Sequence, residues 1–253
     1  MKVLVTGASS GIGAATALAF ASAGHTVGVC ARRADRLEEV AKACGPDTLS
    51  WVADLSDLDA LDAFAQTVDD AFGGLDVLVN NAGVPKRRRT QAMAGADAES
   101  VMAMNYFSPV RLTLAFLPRM IARSSGEIIN VSSMGVHSAA FGVGAYAASK
   151  AALELFTESL YLELTKTRVR ARLFVPGTTR TEFSDDKPDN EPAMRRDPKA
   201  ASAQDVAAAL VASVGRDEFV SYATERDAKT SAAKAADPNA FLANARQALS
   251  ALL

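Results

Sequence analysis

Val3-Leu4-Val5-Thr6-Gly7-Ala8-Ser9-Ser10-Gly11-Ile12-Gly13 runs from three apolar residues through a polar turn with three glycines into an alanine-rich segment. The apolar start predicts a buried strand from Lys2 to Val5, and the residues from Ile12 to Ala23 predict a helix that begins at once. Glycine at 7, 11 and 13 lets backbone approach a bulky anion, and the free N–H groups at the helix start, with the positive end of its dipole, attract one. The spacing is Gly-x-x-x-Gly-x-Gly, not Gly-x-Gly-x-x-Gly, so the stretch follows the physics of the common dinucleotide-binding turn but not its spelling. Ser9, Ser10 and Ile12 lie inside the turn and join the glycines as candidate cofactor contacts. A glycine-rich turn that holds nothing is the alternative.

Beyond this turn, β-rich runs alternate with longer helical patterns to about residue 220, as a parallel sheet with crossover helices requires. Strands are predicted at Lys2 to Val5, Thr26 to Cys30, Leu49 to Ala53, Val77 to Asn80, Glu127 to Ser132, Val169 to Val175 and Phe219 to Ser221. Helices are predicted at Ile12 to Ala23, Ala34 to Cys44, Leu58 to Phe72, Ala98 to Ala122, Ala145 to Thr165 and Ala203 to Ser213. Val77-Leu78-Val79 is apolar throughout, which predicts helices on both faces of the sheet. The class is therefore α/β. Ser184 to Ala201 carries Pro188, Pro192 and Pro198 without a sustained apolar period and predicts a lid or excursion. After Pro238 the stripe Phe241, Leu242, Ala245, Leu249 and Leu252 predicts a terminal helix, about 238–253, that packs on the core or on a partner, the core being the preferred use.

Composition removes several classes of function. With 27 Lys+Arg against 29 Asp+Glu the net charge is -2, so no broad field exists to hold nucleic acid. Cys30 and Cys44 cannot build a disulfide framework or a four-ligand zinc site alone, and with only His25 and His137 no metal site is expected. Met1 to Val5 imitates a secretory leader until the polar run from Thr6 ends it, and no stretch of about 18 uncharged apolar residues occurs. A cytoplasmic protein without a membrane partner is the expectation.

The second predicted strand ends at Cys30-Ala31-Arg32-Arg33, where an acidic side chain would bond an adenosine ribose 2′-hydroxyl. Two arginines stand there instead, and a planar guanidinium suits a 2′-phosphate. NADP(H) is therefore expected over NAD(H); the alternative is that Arg32 and Arg33 are solvated residues opening the next helix.

Thr6-Gly7-x-x-x-Gly11-x-Gly13, Asp54-Leu55 after the third strand, Asn80-Asn81-Ala82-Gly83 after the fourth and Pro176-Gly177 followed by Thr181 resemble, in order, the motifs of the short-chain dehydrogenase/reductase family over roughly residues 1 to 183. Asn105, Ser133, Tyr146 and Lys150 fall where that family carries its catalytic tetrad. The resemblance implies one Rossmann-type doubly wound domain over residues 1–253, with strand order 3-2-1-4-5-6-7 and a substrate loop at about 183–201. It also implies cofactor contacts from Asp54, Leu55, Asn81, Ala82, Gly83, Tyr146, Lys150, Pro176, Gly177, Thr179 and Thr181. Thr179 stands where the family often has valine or isoleucine. Pairing of the two long helices into a homodimer or homotetramer is implied as well.

The chemistry is also legible in the residues themselves. Tyr146 and Lys150 are four apart and share a helix face, so the ammonium is expected to favour the phenolate of a side chain that otherwise titrates near pH ~10. Ser133, at the end of the fifth strand, would polarise a substrate oxygen, or it caps the turn there. Pro109 lacks an N–H and crowds the carbonyl four residues back, so the Asn105 carbonyl should be free; the resemblance gives that carbonyl a water that links Lys150 to solvent. These groups fit hydride transfer between nicotinamide and a carbonyl or secondary alcohol carbon of a small or medium organic molecule, with Tyr146 as acid or base. Met134, His137, Phe141 and Phe183 are candidate substrate contacts. Lys86-Arg87-Arg88-Arg89 follows the fourth strand and is either a solvated loop or a receptor for an acidic carrier, which would suit a 3-ketoacyl-thioester reductase. A cofactor-binding sensor without turnover is the third reading.

Overall fold

The computed structural model describes residues 1–139, 141–184, 190–191 and 197–251. Strands β1 (Lys2–Thr6), β2 (Thr26–Ala31), β3 (Leu49–Val52), β4 (Val77–Asn80), β5 (Gly126–Val131), β6 (Val169–Val175) and β9 (Val220–Tyr222) form one parallel sheet in the order β3-β2-β1-β4-β5-β6-β9. This is the expected order. Two short strands, β7 (Thr179–Arg180) and β8 (Ala201–Ser202), pair beside it and were not expected.

Alternation along each strand divides the core. Leu4, Leu78 and Ile128 point to one face and meet α3 (Leu61–Phe72), α5 (Ser108–Ala122) and α7 (Gly144–Glu163) through Phe72, Phe116 and Leu160. Val3, Val5, Val79 and Ile129 point to the other and meet α1 (Gly11–Ser22), α2 (Ala34–Cys44) and α8 (Ala203–Ser213) through Phe20, Leu37 and Leu210. Covering both faces is what makes the strands apolar throughout.

Three departures have local causes. The single helix expected over Ala98 to Ala122 is α4 (Gly95–Met102), a π-turn at Ala103–Phe107, and α5. The widened turn directly precedes Pro109, which cannot donate a backbone hydrogen bond. A short helix, α6 (Met134–His137), and a longer one, α9 (Glu225–Ala236), were not expected; the only buried residues of α9 are Asp227 and Ser231, so it has no apolar stripe to read. The terminal helix α10 (Pro238–Ser250) forms, but it buries no residue, and its stripe does not enter the core as expected. Leu252 and most of the expected lid, 185–189 and 192–196, lie outside the described residues.

One buried ion pair fastens the sheet at the start of β5. Glu127 accepts from Arg170 at 2.8 Å and Arg172 at 3.3 Å, and Arg172 also donates to the Glu218 carbonyl at 2.7 Å. Glu127 and Arg172 are each 2% exposed. Truncating one partner leaves the other charge without its full complement in a dry site. Arg172→Ala should therefore lower unfolding free energy by about 3–5 kcal/mol in urea titration; a loss below about 1 kcal/mol would show that the pair contributes only packing.

Candidate active site

The strand order reverses between β1 and β4, and a cleft of about 610 Å³ opens there at the carboxyl ends of the strands, where open α/β sheets take ligands. Thr6 holds the junction together. Its hydroxyl accepts the N–H groups of Asn81 and Ala82, each at 3.0 Å, and donates to the Val79 carbonyl at 3.2 Å. Asn81 Nδ2 returns a bond to the Thr6 carbonyl at 2.9 Å. Gly7 (φ +67°) sits so close that a Cβ there would lie 2.8 Å from Ala82 Cα, and a Cβ on Gly13 would lie 2.4 Å from the Gly7 carbonyl oxygen. Both positions exclude any side chain.

Ser10 stands at the N-cap of α1 but makes no side-chain cap bond, so the first-turn N–H groups face the cleft without an internal acceptor from it. The Ser10 hydroxyl instead accepts from Arg33 Nη2 at 2.6 Å, and Ser9 Oγ accepts from the same nitrogen at 3.0 Å. Arg33 is also the N-cap residue of α2, so it opens the next helix and faces the cleft at once. Glu182 reaches across from the segment after β7 to Arg33 at 3.0 Å and to Arg36. The pair of guanidiniums thus already holds a carboxylate, which shows that this end of the cleft accommodates an anion.

At the other end, Ser133, Tyr146 and Lys150 share one wall. Ser133 Oγ accepts from Gly135 N–H at 3.0 Å, the turn-capping role, and also hydrogen-bonds Tyr146. Burial raises the Tyr146 pKa, opposed by the Ser133 contact. Burial likewise pushes the Lys150 amine down to about 8, opposed by the charge of Glu154. Lys150 Nζ donates to the Val131 carbonyl at 2.8 Å. The expected lowering of Tyr146 by Lys150 is therefore corrected: with Lys150 buried and Tyr146 half-buried, desolvation penalises each charge, and the amine is turned to a strand carbonyl.

The cleft wall also takes Gly7, Gly11, Ile12, Gly13, Arg32, Leu55, Asn81, Ala82, Gly83, Pro176, Gly177, Thr179 and Thr181, together with Met134 and Phe183. Four expected residues are not on it. Asp54 turns to Ser56, accepting from its N–H at 3.0 Å and hydroxyl at 2.7 Å, with Arg32 3.7 Å away. Asn105 is wholly buried; its side chain accepts from Val84 N–H at 2.8 Å and donates to the Val84 carbonyl and Ser149 Oγ, each at 3.1 Å. His137 lies 2.9 Å from Glu154 and 3.1 Å from Ser231, in a polar network that Ser132 joins through Glu154. Phe141 is exposed beneath the Arg89 guanidinium, 5.6 Å from its ring centre.

The basic run is engaged by the chain itself, three of its four cations by carboxylates. Lys86 lies 2.7 Å and Arg88 3.9 Å from Asp97, Arg89 lies 3.5 Å from Glu191, and Arg87 Nε donates to the Glu191 carbonyl at 3.0 Å. Sequence reasoning missed Glu154 and Glu182. Glu154 stands four residues after Lys150, a spacing that marks a shared helix face. Glu182 had no such signal, because its partners are 149 and 146 residues away.

Residues 1–192 match the family described as short chain dehydrogenase, and the chain belongs to that family. It is 43% identical over 176 residues to an uncharacterized oxidoreductase of Mycobacterium tuberculosis, covering 66% of this chain and 52% of that protein. It is 42% identical over 171 residues to a fatty acyl-CoA reductase of Acinetobacter baylyi, covering 66% of this chain and 58% of that protein. The chain thus spans little more than half the length of these two relatives. A short-chain dehydrogenase from Sphingobium yanoikuyae in complex with NADPH superposes with a TM-score of 0.80 at 28% identity, covering 99% of this chain and 95% of that one.

The lysine makes a stability prediction. Its folded value near 8 lies below the ordinary 10.5, so the unfolded chain binds more protons between those limits and stability rises with pH there. Below about pH 8 the penalty is fully present. Lys150→Met should gain about 1–3 kcal/mol at pH 7, and the gain should shrink toward pH 10.5. Denaturant titrations at the two pH values check this; a gain independent of pH would contradict it.

Proposed function

We propose that this chain is an NADP(H)-dependent oxidoreductase that moves a hydride between the nicotinamide and the carbonyl or secondary alcohol carbon of a small or medium organic substrate. The observation that carries it is one continuous cleft with an anion-holding Arg33 at one end and Ser133, Tyr146 and Lys150 at the other. NADP(H), when bound, supplies the hydride chemistry. Arg33 with Ser9 and Ser10 would hold its 2′-phosphate, and the first turn of α1 its pyrophosphate. The Asn81-Ala82-Gly83 backbone and Lys150 would hold the nicotinamide ribose, and Thr179 and Thr181 the carboxamide side. Arg32 and Leu55 would flank the adenosine.

In the reductive direction Tyr146 gives its proton to the substrate oxygen while Ser133 steadies that oxygen by a hydrogen bond. Lys150, with an amine that titrates near 8, replaces the proton at the phenol. Asn105 acts through its backbone carbonyl, since its side chain is engaged with Val84 and Ser149. Met134 and Phe183 contact the substrate. The substrate loop is assigned to about 183–201.

A thioester substrate is the second reading, favoured by the fatty acyl-CoA reductase among the relatives. It draws no support from Lys86, Arg88 and Arg89, whose charges face Asp97 and Glu191, or from Arg87, whose Nε is held by the Glu191 carbonyl. We assign a homodimer or homotetramer to the exposed Leu114 and Ile121 of α5 and Leu155 and Leu162 of α7. A cytoplasmic setting suits the two free cysteines, and among the described residues no helix is long and apolar enough to cross a membrane.

NADPH and NADH consumption over ketones, aldehydes, quinones and acyl and 3-ketoacyl thioesters tests the reading. Tyr146→Phe should cut turnover by a factor of about 10²–10⁴ with cofactor still bound; bound NADPH without turnover on any substrate would leave a sensor. Arg33→Ala should weaken NADPH roughly tenfold and leave NADH nearly unchanged in calorimetric titration. Leu155→Glu combined with Leu162→Glu should yield monomers in light scattering; unchanged mass would place the interface elsewhere.

A further inference from the structure

The segment after β7 lies across the cleft, and each of three successive residues touches a different part of it. Thr181 lies against Gly11 of the phosphate turn, where a Cβ on the glycine would come within 3.2 Å of it. Glu182 spans to Arg33 at 3.0 Å and to Arg36. The Phe183 ring packs on Tyr146 with centroids 5.8 Å apart. Both guanidiniums hold the Glu182 carboxyl below its usual range. All three ionic side chains remain between 42% and 49% exposed, so these bonds are weak enough to exchange.

We propose that Glu182 is a cofactor-selectivity residue: its carboxylate occupies the guanidiniums that a 2′-phosphate takes, and only a cofactor bearing that phosphate displaces it. This rests on the reading that Arg33 receives the 2′-phosphate. A carboxylate and a phosphate cannot share one guanidinium face without like-charge repulsion, and a dianionic phosphate is the stronger acceptor. Displacing Glu182 also moves Phe183, the next residue, from the proton-donating Tyr146. A cofactor without the phosphate leaves Glu182 on Arg33 and the ring on Tyr146. The 2′-phosphate thus governs access to the reacting end of the cleft from its opposite end.

The experiment compares adenosine 2′,5′-bisphosphate with 5′-AMP, two ligands that differ by the 2′-phosphate, in calorimetric titration of the wild type, Glu182→Gln and Arg33→Ala. Glu182→Gln should tighten the bisphosphate roughly three- to tenfold and change AMP by less than about twofold. In turnover it should also close the gap in substrate KM between NADH and NADPH. Equal tightening of both ligands would make Glu182 a general tether of the segment and overturn the proposal, as would no change in either. If Arg33→Ala loses bisphosphate selectivity while Glu182→Gln keeps the wild-type ratio, the cofactor reading stands and this inference fails. If Arg33→Ala keeps full selectivity, both fall.

Discussion

The three hydrogen bonds of the Thr6 hydroxyl hold together the one place where this sheet changes direction. On one side of β1 the chain winds toward β3, and on the other it winds toward β9. The crevice between those two windings is structural only if the ends of β1 and β4 stay flush. Thr6 achieves that by satisfying two N–H groups of the chain leaving β4, which have no strand partner there. Gly7 and Gly13 then fit because nothing larger could, and α1 begins where its uncapped first turn looks into the crevice. Valine at this position would preserve the shape, leave the Asn81 N–H only its bond to the Val79 carbonyl at 3.0 Å and remove the acceptor of the Ala82 N–H, so the hydroxyl rather than the bulk of Thr6 is what the cleft requires.

Burial has a chemical consequence at the reacting end. It raises the phenol and lowers the amine to about 8, so the wall that holds both penalises the charged form of each. A neutral phenol is a proton donor. Glu154 moderates the same balance from one turn along α7, and Ser132 and His137 fix its carboxylate.

The strands were legible to within about a residue at most ends, because covering both faces of a parallel sheet forces unbroken apolar runs. Pro109 likewise announced a disturbance near Asn105, which takes the form of a π-turn. What escaped notice was held by polar side chains. Helix α9 buries Asp227 and Ser231, and no apolar period can announce such a face. The nearness of His137 to Ser133 in sequence suggests a substrate contact, yet α6 turns its ring toward Glu154, Ser231 and Tyr222. The glycine turn and the Ser-Tyr-Lys wall were readable because each is local to one strand–helix junction. Glu182 was not, because a salt bridge between distant loops leaves no trace in spacing.

Charge satisfied within the chain also limits what the cleft can select. Asp97 and Glu191 answer the basic run, and Glu127 answers Arg170 and Arg172. At the cleft, Arg32 faces Asp54, and Glu182 answers Arg33 and Arg36. An anion that approaches these guanidiniums therefore meets cations that already have partners, and it binds there only by outcompeting a carboxylate. A phosphate does so more readily than a second carboxylate, because it brings more charge and more acceptor oxygens to the same guanidinium. Discrimination between anions thus follows from occupancy by the chain itself. On that argument the Arg33 end of the cleft favours phosphoryl groups over carboxylates, because any anion there must take the guanidinium from Glu182.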